Sequence, residues 1–181
     1  MSTPQGLLAG LTAYRSARKQ LLDVLGLPDS CRDPLAEFAE RFVAALTGGA
    51  LATSRVQAKW DILQPNGNLL QVRYLANPAD RWVNEHLVQT IPGVDRYALV
   101  LFEDMHPTGV LTFPPDLAPI CSALGKRHPR QGKTLQFTRR NWLQMRDHAD
   151  VFTRIGMRIR LPPYTDGQLN FSGTAAQRTP R

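Results

Sequence analysis

Tyr97-Ala98-Leu99-Val100-Leu101-Phe102 is an almost purely apolar run. A strand that leaves one face to water alternates apolar and polar residues, and this run does not. It therefore predicts a central strand covered on both faces, which calls for a layered architecture. Glu103 to Thr108 holds the residues of a turn, and Val110-Leu111-Thr112-Phe113 predicts the hairpin partner beyond it.

A second hairpin is marked by its turn. Trp60-Asp61-Ile62-Leu63 and Leu69-Leu70-Gln71-Val72-Arg73-Tyr74 flank Pro65-Asn66-Gly67-Asn68, and Asn-Gly supplies the positive φ angles of a tight connection. With a period of two, Gln71 and Arg73 share one face and Leu70, Val72 and Tyr74 the other. Asp61 on the neighbouring strand falls near the polar pair. A carboxylate, an amide and a guanidinium gathered there could hold a metal and a phosphate, although on these residues alone an ordinary solvated sheet face is the simpler reading.

Helical spacing of Leu7, Leu8, Leu11, Tyr14, Leu21, Leu22 and Leu25 predicts one helix or two, ended by Gly26 and Pro28. Asp33-Pro34 is a side-chain cap followed by proline at the first helical position, and Gly48-Gly49 is a stop. Between them the stripe Leu35, Phe38, Phe42, Val43 and Leu46 faces a core. On that wheel Glu40 flanks the stripe and Glu37 lies nearly opposite it. Asp80 to Gln89 reads as a short helix, Pro114-Pro115-Asp116 starts another that runs to about Leu124, and Leu135 to Phe137 reads as a strand. Thr138 caps a helix through Met145, Asp150 to Ile155 forms a further short one, and Met157 to Leu161 a last strand. The order predicts an α/β chain with a mixed central sheet flanked by helices, one domain over residues 1–164, and a disordered polar tail over 165–181.

The composition, with 43% hydrophobic and 20% charged residues, is that of a globular chain. No apolar run approaches the roughly 20 residues of a membrane span, and Met1 to Gln5 does not read as a signal peptide. Cys31 and Cys121 lack metal-ligand spacing, so buried thiols and a reducing cytoplasm are the expectation. The net charge of +7 is unevenly placed. Residues 126–160 carry ten Lys and Arg against Asp147 and Asp150, an excess of +8, while residues 1–125 sum to −2. Such segregation favours a polyanionic partner, nucleic acid first.

A helix bearing a glutamate, a Gly-Gly stop, a strand with an aspartate, a tight turn and a strand with a polar-x-basic triplet resemble the restriction-endonuclease-like, or PD-(D/E)XK, nuclease core. The resemblance spans roughly residues 33–113. It implies that Asp61 and Gln71 bind Mg2+ (or Mn2+), that Arg73 stands in the lysine position beside the attacking water, and that Glu40, or else Glu37, is the supporting helix carboxylate. Glutamine in place of the acidic residue is tolerated in the methyl-directed branch of the family. Arginine is the larger departure, because a guanidinium stays protonated and cannot act as a base. It can still hold a phosphate and stabilise transition-state charge.

His86, His106, His128 and His148 form no local pair and are expected on the surface or satisfied in the core. The stretch Gly125 to Lys133 lacks the spacing of a phosphate-binding P-loop. Lys126, Arg127, Arg130 and Lys133 suit contact with a phosphate backbone. Arg139, Arg140 and Asn141, at a helix start, suit phosphate or base edges, and Trp142 is expected to anchor the core. Together these readings predict a metal-dependent endonuclease acting on double-stranded DNA as a cytoplasmic homodimer. The alternatives are a non-catalytic DNA-binding protein of the same fold and an RNA-binding or protein-interaction module.

Overall fold

In the computed structural model, which describes residues 4–28, 31, 33–53, 59–126 and 133–164, the apolar run forms the body of β5 (Arg96–Glu103). Its side chains divide as a doubly covered strand requires. Leu99 and Leu101 enter one core with Tyr97, while Ala98, Val100 and Phe102 enter a second. On one side β5 pairs in parallel with β3 (Leu69–Asn77), and on the other in antiparallel fashion with β6 (His106–Phe113). With β1 (Ala50–Leu51), β2 (Ile62–Leu63) and β8 (Arg158–Arg160), the sheet has six strands in the order β1-β2-β3-β5-β6-β8. It is a mixed central sheet with helices on both faces, the α/β class that the element order predicts.

The second core is roofed by α2 (Pro34–Thr47). Its ends follow the sequence signals: the Asp33 carboxylate accepts from the Ala36 amide, Pro34 opens the helix, and Gly48 closes it in the left-handed region. The helix is rotated from the expected stripe. Ala39, Val43, Ala44 and Thr47 are its buried small residues, while Phe38 and Phe42 stack at its flank. Small side chains let the helix axis approach the sheet, and this rotation buries Glu37, paired with Arg41 at 2.7 Å. A longer helix, α1 (Pro4–Leu25), contributes Leu22 to the buried interior and leaves Leu8, Leu11 and Tyr14 exposed.

The first core is covered by a two-stranded ribbon of β4 (His86–Gln89) and β7 (Thr134–Phe137), and by α3 (Ala118–Ala123), α4 (Arg139–Asp147) and α5 (Ala149–Arg154). β4 corrects the helix expected over Asp80 to Gln89. Two interactions draw that chain out of helical geometry. The Asn77 carboxamide oxygen accepts from the Val83 and Asn84 amides at 2.8 and 2.7 Å, and β7 pairs with β4 from far along the chain. Trp142 anchors this core as expected, its ring lying where Gly109 has no Cβ; a Cβ there would come within 2.6 Å of it. Cys121 is buried and Cys31 only partly so. The tail over 165–181 lies outside the described residues.

Candidate active site

The site begins where a strand runs out of partners. β2 pairs Ile62 with Leu70, and the Asp61 amide donates to the Leu70 carbonyl at 2.9 Å. Beyond that point the ladder is continued by a side chain: the Val72 amide of β3 donates to Asp61 Oδ2 at 2.7 Å. The same oxygen accepts from Gln71 Nε2 at 2.6 Å and lies 3.6 Å from the Arg73 guanidinium. Hydrogen bonds to a carboxylate are each worth roughly 1.5–3 kcal/mol, so the aspartate is fixed in place. Its side chain is 16% exposed, whereas that of Arg73 is 51% exposed and also donates to the Val72 carbonyl. The expected juxtaposition of Asp61, Gln71 and Arg73 is therefore present.

Glu40 of α2 is electrostatically coupled to this group. Burial pushes its carboxyl up to about 7; Asp61 adds to that rise, and Arg73 and Arg41 oppose it. Glu40 thus senses Asp61 and Arg73 as well as Arg41, while Glu37 is paired with Arg41. Among the described residues no group of three or more His, Cys, Asp or Glu is gathered for a metal ion. The donor set is two carboxylates and an amide. That suits a hard ion such as Mg2+, which takes one or two carboxylates and keeps much of its water. Gln71 turns its NH2 to Asp61, leaving the carbonyl oxygen as the end a cation could take.

Two residues that sequence reasoning did not place here complete the corner. Tyr97 is the parallel register partner of Gln71, and its hydroxyl lies 2.6 Å from His86 Nε2. Burial pushes the phenol up to about 12, with Arg73 opposing and Asp61 adding to the rise. Burial, and then Arg73, lower the His86 imidazole below its ordinary value. The sole signal for either would have been the strand pairing, which no local pattern in the chain contains.

The basic segment does not line one surface. Arg139 and Arg140 are exposed at the start of α4, where the helix dipole disfavours cations, and Lys133 is exposed just before β7. Lys126 donates to the Gln136 carbonyl at 2.7 Å. Arg127 and Arg130 lie outside the described residues. Arg146 and Arg154 pair with Asp147 and Asp150. Arg160 and Arg158 are in register with Val110 and Thr112, on the sheet face that α2 covers and so opposite to α4. Asn141 is corrected: it is 4% exposed, and its carboxamide oxygen accepts from the Thr138 amide and hydroxyl in a capping box, so it is closed to a base edge.

No helix among the described residues is long and apolar enough to cross a membrane. No family model matches the chain, and no curated protein matches it in sequence.

Proposed function

We propose that the chain is a metal-dependent DNA endonuclease with a restriction-endonuclease-like core, hydrolysing phosphodiester bonds in a restriction or other DNA-defence role. The observation that carries this reading is Asp61, braced by Gln71 and the Val72 amide, with Arg73 at 3.6 Å and Glu40 of α2 electrostatically coupled to both Asp61 and Arg73. Asp61 and Glu40, with the Gln71 carbonyl, would hold Mg2+ or Mn2+; the ion, when bound, supplies positive charge against the phosphate and lowers the pKa of a neighbouring water. Arg73, half in solvent, offers its fork of donors to the phosphate oxygens and stabilises the charge that grows on them in the transition state. Gln71 orients Asp61. Lys133, Arg139 and Arg140 on one face and Arg158 and Arg160 on the other are the candidate contacts to the DNA backbone. One such corner per chain, set against two strands of a duplex, favours action as a homodimer.

Incubating supercoiled plasmid with the protein in Mg2+ and in Mn2+, beside Asp61→Asn, tests the reading. Nicking or linearisation by the wild type alone supports it. Equal cleavage by both proteins removes Asp61 from the chemistry. A second reading, a DNA-binding protein that has kept the fold and lost turnover, is favoured by arginine where the family places its lysine; it predicts salt-sensitive binding and no cleavage by either protein.

A further inference from the structure

Arg73 leaves a chemical gap. A guanidinium does not give up its proton, so the attacking water needs another acceptor. Gln71 cannot serve, and Asp61 Oδ2 already accepts two hydrogen bonds and lies 3.6 Å from the Arg73 guanidinium. Gln71 and Arg73 project to the sheet face that carries Leu75, Tyr97 and Leu99, as strand alternation and the parallel register require. A phosphate held by Arg73 lies on that face. β4 lays His86 over the same face, its ring centroid 6.0 Å from that of Tyr97 and its Nε2 fixed at 2.6 Å from the phenolic oxygen.

We propose that His86, oriented by Tyr97 beside Arg73, takes the proton from the attacking water during strand cleavage. The inference rests on the nuclease reading above. With Nε2–H donating to the Tyr97 oxygen, Nδ1 carries the lone pair. As the water oxygen forms its bond to phosphorus, its proton passes to Nδ1. The bond from phosphorus to the leaving ribose oxygen breaks with its electron pair on that oxygen, which takes a proton from solvent, and the imidazolium later returns its proton to solvent. The charged and titratable groups that act on His86 are Arg73 from β3 and Tyr97 from β5. Its pairing partner on β7 is Phe137, and its chain neighbour Glu85 is engaged by Gln136. Burial and the Arg73 charge both favour the neutral ring, the form that accepts a proton at pH 7.

Single-turnover cleavage of plasmid in Mn2+ is measured between about pH 5.5 and 9 for wild type, His86→Ala, His86→Gln and Tyr97→Phe. His86→Ala should cut about 10²–10⁴-fold more slowly, lose the acidic limb of the profile, keep its DNA affinity, and recover rate when free imidazole is added. His86→Gln can still donate to Tyr97 but has no basic nitrogen, so it should fall with alanine. Tyr97→Phe should slow cleavage less and keep the limb. Wild-type rates in His86→Ala, recovery by glutamine, or failure of imidazole to rescue would each overturn the role of His86 while leaving the nuclease standing. Absence of cleavage by the wild type overturns both.

Discussion

At the margin where β2 ends beside β3, Asp61, Gln71 and Arg73 mix both signs of charge with an amide, and each group finds its partners within the fold. At the β8 margin the balance is positive: Arg158 and Arg160 stand two residues apart on one strand, and Arg96 lies close enough to feel both Arg158 and Asp95. Burial and then Arg158 lower both the Arg96 and the Arg160 guanidinium. A mixed cluster is pre-organised without help from outside, as chemistry requires. A positive bias of that kind favours an anion at this margin. On the proposed reading, the two margins would divide reaction from grip.

The largest effect expected is at Asp61. Asp61→Asn should drop plasmid cleavage to background with DNA affinity unchanged by fluorescence anisotropy. Asp61→Ala should in addition leave the Val72 and Gln71 donors without an acceptor, costing about 1–3 kcal/mol in urea unfolding. Next is the opposite margin. The double variant Arg158→Ala/Arg160→Ala should weaken duplex binding and flatten the plot of log affinity against log salt by up to about 0.9 per lost phosphate contact. If this variant keeps full affinity while Asp61→Asn loses it, the division of labour is reversed.

The smallest effect is a pH-dependent one at Glu40. The folded protein holds the Glu40 proton up to about 7, whereas an ordinary carboxyl releases it near 4.5. Between those values the folded state binds more protons than the unfolded chain, so stability falls as pH rises. Glu40→Gln removes that slope. It should be more stable than wild type at pH 8 by about 1 kcal/mol, allowing for solvent screening of a half-exposed group, with a smaller gap at pH 5. Thermal unfolding at the two pH values measures it.

What was legible in the chain was local. The Asp33-Pro34 start and Gly48 stop framed α2, and Asn66-Gly67, with Gly67 at φ 83°, set the hairpin that brings Asp61 to Gln71 and Arg73. These signals lie within a few residues of what they position. β4 was hidden because its partner β7 is distant and because the Asn77 carboxamide, not a local propensity, shapes the approach to it. His86 and Tyr97 were hidden for the same reason, since only strand pairing brings them to Gln71. Asn141 was misread because one side chain serves equally to cap a helix and to read adenine, and burial chose the cap. The segregated charge was real in sequence, but helix and strand turned its members to opposite faces.

Calorimetric titration of Mn2+ into the wild type and Asp61→Asn tests most directly whether the Asp61–Glu40 corner holds a divalent ion. Saturable binding of one ion per chain, weakened more than about tenfold by Asp61→Asn, is the expected result. No binding by the wild type, or equal binding by both proteins, would contradict it.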